Sequence, residues 1–185
     1  MVSLQPPICD FGWKARGFNL RGIDGKRYTP ENTLGKNGLL VMFICNHCPY
    51  VKSIRECLVR DTRELLTYGV NSIAIMSNDP AEYEEDSFEN MQHVARQYDY
   101  PFPYVWDETQ QVAEAYGAVC TPDFFGFNAQ LELQYRGRLD ASRKELVADA
   151  PRDLFNAMVQ VAQTGQGPRE QIASMGCSIK WKNKA

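Results

Sequence analysis

The residues best suited to chemistry are Cys45 and Cys48, in the run Cys45-Asn46-His47-Cys48-Pro49. A thiolate is the nucleophile of disulfide exchange, and two thiols three positions apart can attack a substrate and then close on each other. Cys45 is the candidate nucleophile and Cys48 the candidate resolving thiol. His47, when protonated, adds a positive charge that favours a thiolate. The same donors admit a different chemistry: a copper or zinc carrier could use Cys45, Cys48 and His47. A structural zinc site normally adds a second cysteine pair or two histidines. The chain has only His47 and His93, and no second C-x-x-C. His93 stands beside Val94 on a predicted helix and reads as a surface or core-edge residue. The reading is therefore a redox pair with no metal and no cofactor.

The flanking sequence must bring these thiols to a reactive position. Leu39–Ile44 is apolar without alternation, the pattern of a strand buried on both faces. Pro49 suits the first turn of a helix, and Val51, Ile54, Leu58, Leu65 and Leu66 continue at helical spacing to Tyr68-Gly69. Cys45 is thus expected at or just before a helix N-terminus, where free N–H groups and the helix dipole stabilise an anion by roughly 0.3–1 kcal/mol.

The rest of the chain supplies a sheet and its covering. Asp24-Gly25 lies between the alternating segments 18–21 and 26–29 and predicts a β-hairpin. Val70–Met76 and Phe102–Trp106 read as strands, and Thr109–Tyr116 as a short helix. Residues 81–98 read as a helix opened by an Asp86/Glu89 capping box. Asp123–Phe127 and Leu131–Tyr135 read as a second hairpin. Ser142 and Glu145 predict another capping box, opening a helix that carries Leu146, Leu154, Phe155, Met158, Val161 and Ala162. The order predicts an α/β fold with a mixed central sheet and helices on both faces, and ligands gather at the carboxyl ends of such strands.

The 185 residues suit one domain, 1–185, without a linker or an internal repeat. A net charge of −3 gives no basic excess for nucleic acid or an anionic membrane surface. No apolar run reaches the length of a membrane span, and the first residues lack the basic and apolar regions of a secretory signal. The expectation is a cytoplasmic protein, in which six cysteines are catalytic, metal-binding or core residues rather than a disulfide framework.

Cys45–Cys48 with Pro49, the Asp24-Gly25 hairpin before it, and Tyr116-Gly117-Ala118-Val119-Cys120-Thr121-Pro122-Asp123-Phe124-Phe125 after it resemble the thioredoxin-like superfamily. The match is to its redoxin branch, the alkyl hydroperoxide reductase/thiol-specific antioxidant type. The resemblance covers about residues 10–163, leaving 164–185 as a C-terminal extension. It implies a thioredoxin-like fold in which Pro122 is cis and packs against the C-x-x-C. It also implies that Thr121 offers its backbone to an incoming substrate. Cys120, two positions before Pro122, would then approach the pair as an additional redox thiol or as a small buried hydrophobe. Cys177, in the extension, would be a distal resolving cysteine or a packed anchor beside Ile179 and Trp181. Cys57 reads as core, and Cys9 has no assignment.

The sequence departs from its relatives in three places. Peroxiredoxins carry P-x-x-x-T-x-x-C, and with Cys48 as the peroxide-reactive residue Val41 and Cys45 replace the proline and threonine. Ile44 replaces the tryptophan of W-C-x-x-C. Leu39–Ile44 also lacks the buried aspartate that serves thioredoxin as a base, so an activating base must come from elsewhere or His47 must suffice. The leading reading is a thiol–disulfide oxidoreductase working through a mixed disulfide. Its substrate would be a protein disulfide or a small thiol. The alternative is a hydroperoxide-reducing thiol peroxidase.

Overall fold

Apolar runs without alternation become the middle of the sheet. In the computed structural model, which describes residues 3–182, the strands are β1 (Ser3–Leu4), β2 (Leu20–Gly22), β3 (Arg27–Tyr28), β4 (Gly38–Phe43), β5 (Val70–Met76), β6 (Tyr104–Trp106), β7 (Cys120–Thr121), β8 (Asp123–Asn128), β9 (Leu133–Tyr135) and β10 (Gly176–Ser178). The helices are α1 (Pro30–Thr33), α2 (Pro49–Leu65), α3 (Phe88–Gln97), α4 (Gln111–Tyr116) and α5 (Asp153–Thr164).

Seven strands form one sheet in the order β3-β2-β6-β5-β4-β8-β9. β4 is parallel to β5, β5 is parallel to β6, and the remaining pairs are antiparallel. This is the expected mixed sheet, with the β2–β3 hairpin turning at Asp24-Gly25. β4 lies inside the sheet between β5 and β8, and its side chains alternate between two cores. Leu40, Met42 and Ile44 pack with Val51, Ile54 and Leu58 of α2 and with Leu154 and Met158 of α5. Leu39, Val41 and Phe43 pack with Tyr116, Phe125 and Phe127. Cys45 therefore follows the carboxyl end of a strand buried along its whole length.

A second sheet, β1-β10-β7, places β10 between β1 and the strand before Pro122. No sequence pattern announced it, because its strands are only two or three residues long. No helix among the described residues is long and apolar enough to cross a membrane.

Two predicted helix starts are corrected. Ser87, not Asp86, caps α3, its hydroxyl accepting from the Asn90 N–H. The Ser142/Glu145 box opens no helix: residues 142–150 are loop, Leu146 is 56% exposed, and α5 begins only at Asp153. Pro151 explains this, since a proline clashes with the preceding turn and drives the residue before it out of helical geometry.

β7 and β8 flank a cis Thr121–Pro122 peptide. Directly after it, Asp123 is fully buried and paired with Arg136 at 3.0 Å. Burial pushes the Asp123 carboxyl up to about 6, and the Arg136 guanidinium opposes that rise. Arg136→Met leaves the carboxylate buried without a counter-ion and is expected to cost about 3–5 kcal/mol in urea unfolding at neutral pH. Without the guanidinium the carboxyl titrates higher still, so the deficit should narrow as the pH falls toward about 6 and level off below it, where Asp123 is protonated in both proteins. A loss that is the same at all pH values would show that the pair is not what holds this corner.

Candidate active site

α2 begins at Pro49, so Cys48 occupies the N-cap with extended backbone. This corrects the expectation that Cys45 stands at the helix mouth. The unpaired N–H groups and the positive end of the dipole face Cys48, three residues further on. Cys45 instead lies in the bend between β4 and α2.

Thr121 touches both sulfurs. Its Oγ1 is 3.2 Å from Cys45 Sγ, and its carbonyl oxygen is 3.2 Å from Cys48 Sγ. The structure therefore brings Cys45, Cys48, Thr121 and Pro122 together. Both sulfurs are closed off, with Cys45 1% and Cys48 0% exposed.

The loop between the thiols is clamped by a residue the sequence reading had assigned to a helix cap. Asp86 is fully buried. Its Oδ1 accepts from the N–H groups of Asn46 (2.7 Å) and His47 (3.2 Å). Its Oδ2 accepts from His47 Nδ1 (2.6 Å) and Asn78 Nδ2 (2.9 Å). Burial alone would raise this carboxyl, but the bonds from His47 and Asn78 outweigh it and hold Asp86 below its ordinary value. Asn46 is fixed as well. Its side chain donates to the Glu85 carbonyl and accepts from Tyr104 Oη, while its own carbonyl accepts from Arg55. The buried acid missing from β4 is thus supplied by the turn before α3. No local signal marked it, because Asp86 closes a run of acidic residues that reads as a solvated face.

His47 is held beside Cys45 by Asp86. Its ring stacks on Tyr83 with centroids 3.8 Å apart, and its Nδ1 proton goes to Asp86. The 3.7 Å approach of Nδ1 to Cys45 Sγ uses that same nitrogen, so it is not a separate proton path. The Asp86 carboxylate offsets any charge on the ring. Cys45, His47 and Asp86 offer donor atoms within 4.8 Å of one another, but an ion there would have to break the His47–Asp86 bond.

The two thiols differ in charge preference. Burial pushes Cys45 well up, and its hydrogen bond with Cys48 and the Asp86 charge add to that. Cys48 is pulled down from 9.0 to about 5, chiefly by the hydrogen bond from Cys45, against burial, with help from Cys177. The contact of Cys48 with the Thr121 carbonyl works the other way, since a thiol donates to a carbonyl and a thiolate is repelled by it. The two neighbouring S–H groups and the helix N-terminus decide the balance in favour of a Cys48 thiolate.

The remaining candidates divide. Cys120 donates to the Pro122 carbonyl at 3.6 Å, and burial pushes its thiol up strongly; it behaves as a small buried hydrophobe. Cys177 lies opposite Thr121 in the β10–β7 register and is buried in the same cluster as Cys48. His93 is exposed, while Cys9 and Cys57 are half-buried away from the pair.

The lid over the sulfurs is the C-terminal strand. Gly176 is needed there: a Cβ would come within 2.0 Å of the Thr121 carbonyl oxygen and 3.0 Å of Pro122 N. Ser174 donates to the Pro122 carbonyl at 2.7 Å, and the Lys180 N–H donates to Asn78 at 2.9 Å. Asn78 thus joins the lid to Asp86.

The sequence pattern of the AhpC/TSA family matches residues 11–139. A conserved protein of uncharacterised function from Geobacillus kaustophilus is 42% identical. The match covers 100% of this chain and 99% of that one, with a TM-score of 0.93. A hypothetical protein from Sinorhizobium meliloti is 35% identical over 97% of this chain and 98% of its own, with a TM-score of 0.91. The thioredoxin domain of a thiol-disulfide oxidoreductase from Bacteroides vulgatus shares the fold at 16% identity. That match covers 82% of this chain and 97% of that one, with a TM-score of 0.63. No curated protein matches the chain at a significant level.

Thiolate absorbance near 240 nm should show one ionisation near pH 5, absent from Cys48→Ser. A first step no lower than that of an ordinary thiol would refute the charge assignment. Gly176→Ala should lift the lid. Overpacking of this kind costs about 1–3 kcal/mol, and each 1.4 kcal/mol is about tenfold in population. Maleimide labelling of Cys45 and Cys48, read by peptide mass mapping, is therefore expected to speed up by roughly five- to a hundredfold. An unchanged rate would mean that something other than β10 closes the site.

Proposed function

For a chain that belongs to the AhpC/TSA family, we propose a thiol–disulfide oxidoreductase that works through Cys45 and Cys48. The observation that carries this reading is the placement of both sulfurs on one residue, Thr121, with Cys48 at the start of α2. The solved disulfide oxidoreductase that shares the fold supports the same class of chemistry.

The order of attack follows the charge. With the lid raised, the Cys48 thiolate attacks one sulfur of a substrate disulfide. A Cys48 mixed disulfide forms, and the first substrate thiolate leaves. Cys45 then attacks the Cys48 sulfur. The Cys45–Cys48 bond forms, the second substrate thiolate leaves, and it takes up the proton that Cys45 gives up. Two electrons have passed from the protein to the substrate. Burial holds Cys45 protonated until that second step, so the pair carries one negative charge rather than two. Asp86 positions the loop and takes no part in bond making.

A second reading has one specific observation in its favour. A thiol pulled down to about 5 would also attack a hydroperoxide, leaving a sulfenic acid on Cys48 that Cys45 condenses with, releasing water. Val41 and Cys45 stand where a peroxidase would carry its proline and threonine, so disulfide exchange is preferred.

Insulin reduction with dithiothreitol as electron donor separates the two. The wild-type protein should accelerate insulin precipitation, Cys48→Ser should fall to the uncatalysed rate, and hydroperoxide consumption should match that of a simple thiol. Reductase activity that survives Cys48→Ser would overturn the assignment, and rapid peroxide turnover would move it to the second reading.

A further inference from the structure

Cys48 has a sulfur neighbour on each side. Cys45 and Cys177 share its buried cluster, one from the β4 end and the other from the tail, and each bears on its charge. The place of Cys177 follows from strand register. β10 runs antiparallel to β7 with Cys177 opposite Thr121, and the Thr121 carbonyl lies 3.2 Å from Cys48 Sγ. Gly176 lets the two backbones approach this closely. Cys177 is 1% exposed, in the same core cluster as Cys45 and Cys48. Three thiols are thus gathered around Thr121, and the third belongs to the strand that closes the site.

We propose that Cys177 is a second resolving thiol, which takes over the disulfide from Cys45 and stores it as a Cys48–Cys177 bond that locks the lid. This deepens the disulfide-exchange reading and rests on it. In the step, the Cys177 sulfur attacks Cys48 of the Cys45–Cys48 disulfide. The Cys48–Cys177 bond forms, the bond to Cys45 breaks, and Cys45 leaves as a thiolate that takes up the proton from Cys177. No outside oxidant or reductant is needed, because the step is an isomerisation.

The electrostatics around Cys177 suit this order. Burial raises its thiol first of all, and the hydrogen bond to Cys48 and the charge on Cys48 raise it further, while Lys180 and Lys144 oppose the rise. Once Cys48 is in a disulfide, its charge is gone and that hydrogen bond no longer favours the protonated thiol. The two lysines remain. Cys177 therefore becomes easier to ionise only after Cys48 has been oxidised. Bonded to Cys48, β10 can no longer lift. The oxidised protein is closed against back-reaction with the thiols it has just released, and Cys45 is again a free thiol.

The test uses the full-length protein and diamide, which takes up two electrons and two protons per disulfide formed. After oxidation, the remaining thiols are blocked under denaturing conditions and the chain is mapped by non-reducing peptide mass analysis. Wild-type protein should yield a Cys48–Cys177 linked peptide besides Cys45–Cys48. Cys45→Ser should still lose two thiols per chain, both accounted for by Cys48–Cys177, and the double variant Cys45→Ser/Cys177→Ser should lose none at Cys48. If Cys45→Ser keeps all its thiols while the wild type links only Cys45 to Cys48, the relay is wrong and the two-thiol function stands. Wild-type protein that forms no disulfide at Cys48 at all would remove both. The wild-type map alone decides the relay should Cys45→Ser fail to fold.

Discussion

A buried carboxylate holds this site together. Asp86 accepts four hydrogen bonds: two from the backbone between the thiols, one from His47 and one from Asn78. A charge taken out of water is costly unless its lone pairs are satisfied, and here each bond it gains fixes a different piece of the site. Two bonds set the bend that follows β4. The third fixes the His47 ring, and the fourth reaches the Asn78 side chain, whose amide oxygen accepts from the Lys180 N–H of the tail. Loop, ring and lid depend on one anion, so none of them is independently placed.

That arrangement decides which sulfur is charged. The bend carries the chain three residues past Cys45 before α2 begins, so the helix N-terminus acts on Cys48. Asp86, close enough to raise Cys45, disfavours a second negative charge on it. The result favours negative charge on Cys48 over charge on Cys45. Thr121 completes the pair with a hydroxyl toward one sulfur and a carbonyl toward the other.

The closed site and the family membership belong together. The AhpC/TSA pattern ends at residue 139, well before the strand that covers the thiols. The Geobacillus and Sinorhizobium proteins match this chain over nearly its whole length, whereas the thioredoxin domain from Bacteroides vulgatus matches 82% of it. A common redox core is thus combined with a terminal segment that pairs with the strand before Pro122.

The sequence by itself determined the thiol pair, the buried strand before it, the helix after it and the hairpins at either edge. Each of these rests on residues near one another in the chain: an apolar run, a proline in a first turn, a turn dipeptide. It also carried the family resemblance, and through it the cis Thr121–Pro122 peptide. Its Ser142/Glu145 pattern suggests a helix start that Pro151 delays to Asp153. Only the tertiary structure decided the rest. Asp86 lies 38 residues beyond Cys48 and Cys177 lies 129 residues beyond it, and neither sits in a pattern that points to the other. Which thiol ionises depends on distances among groups from β4, β7, the turn before α3 and β10. Charge preference in a buried site is a sum over such neighbours, and chain folding alone brings them within range.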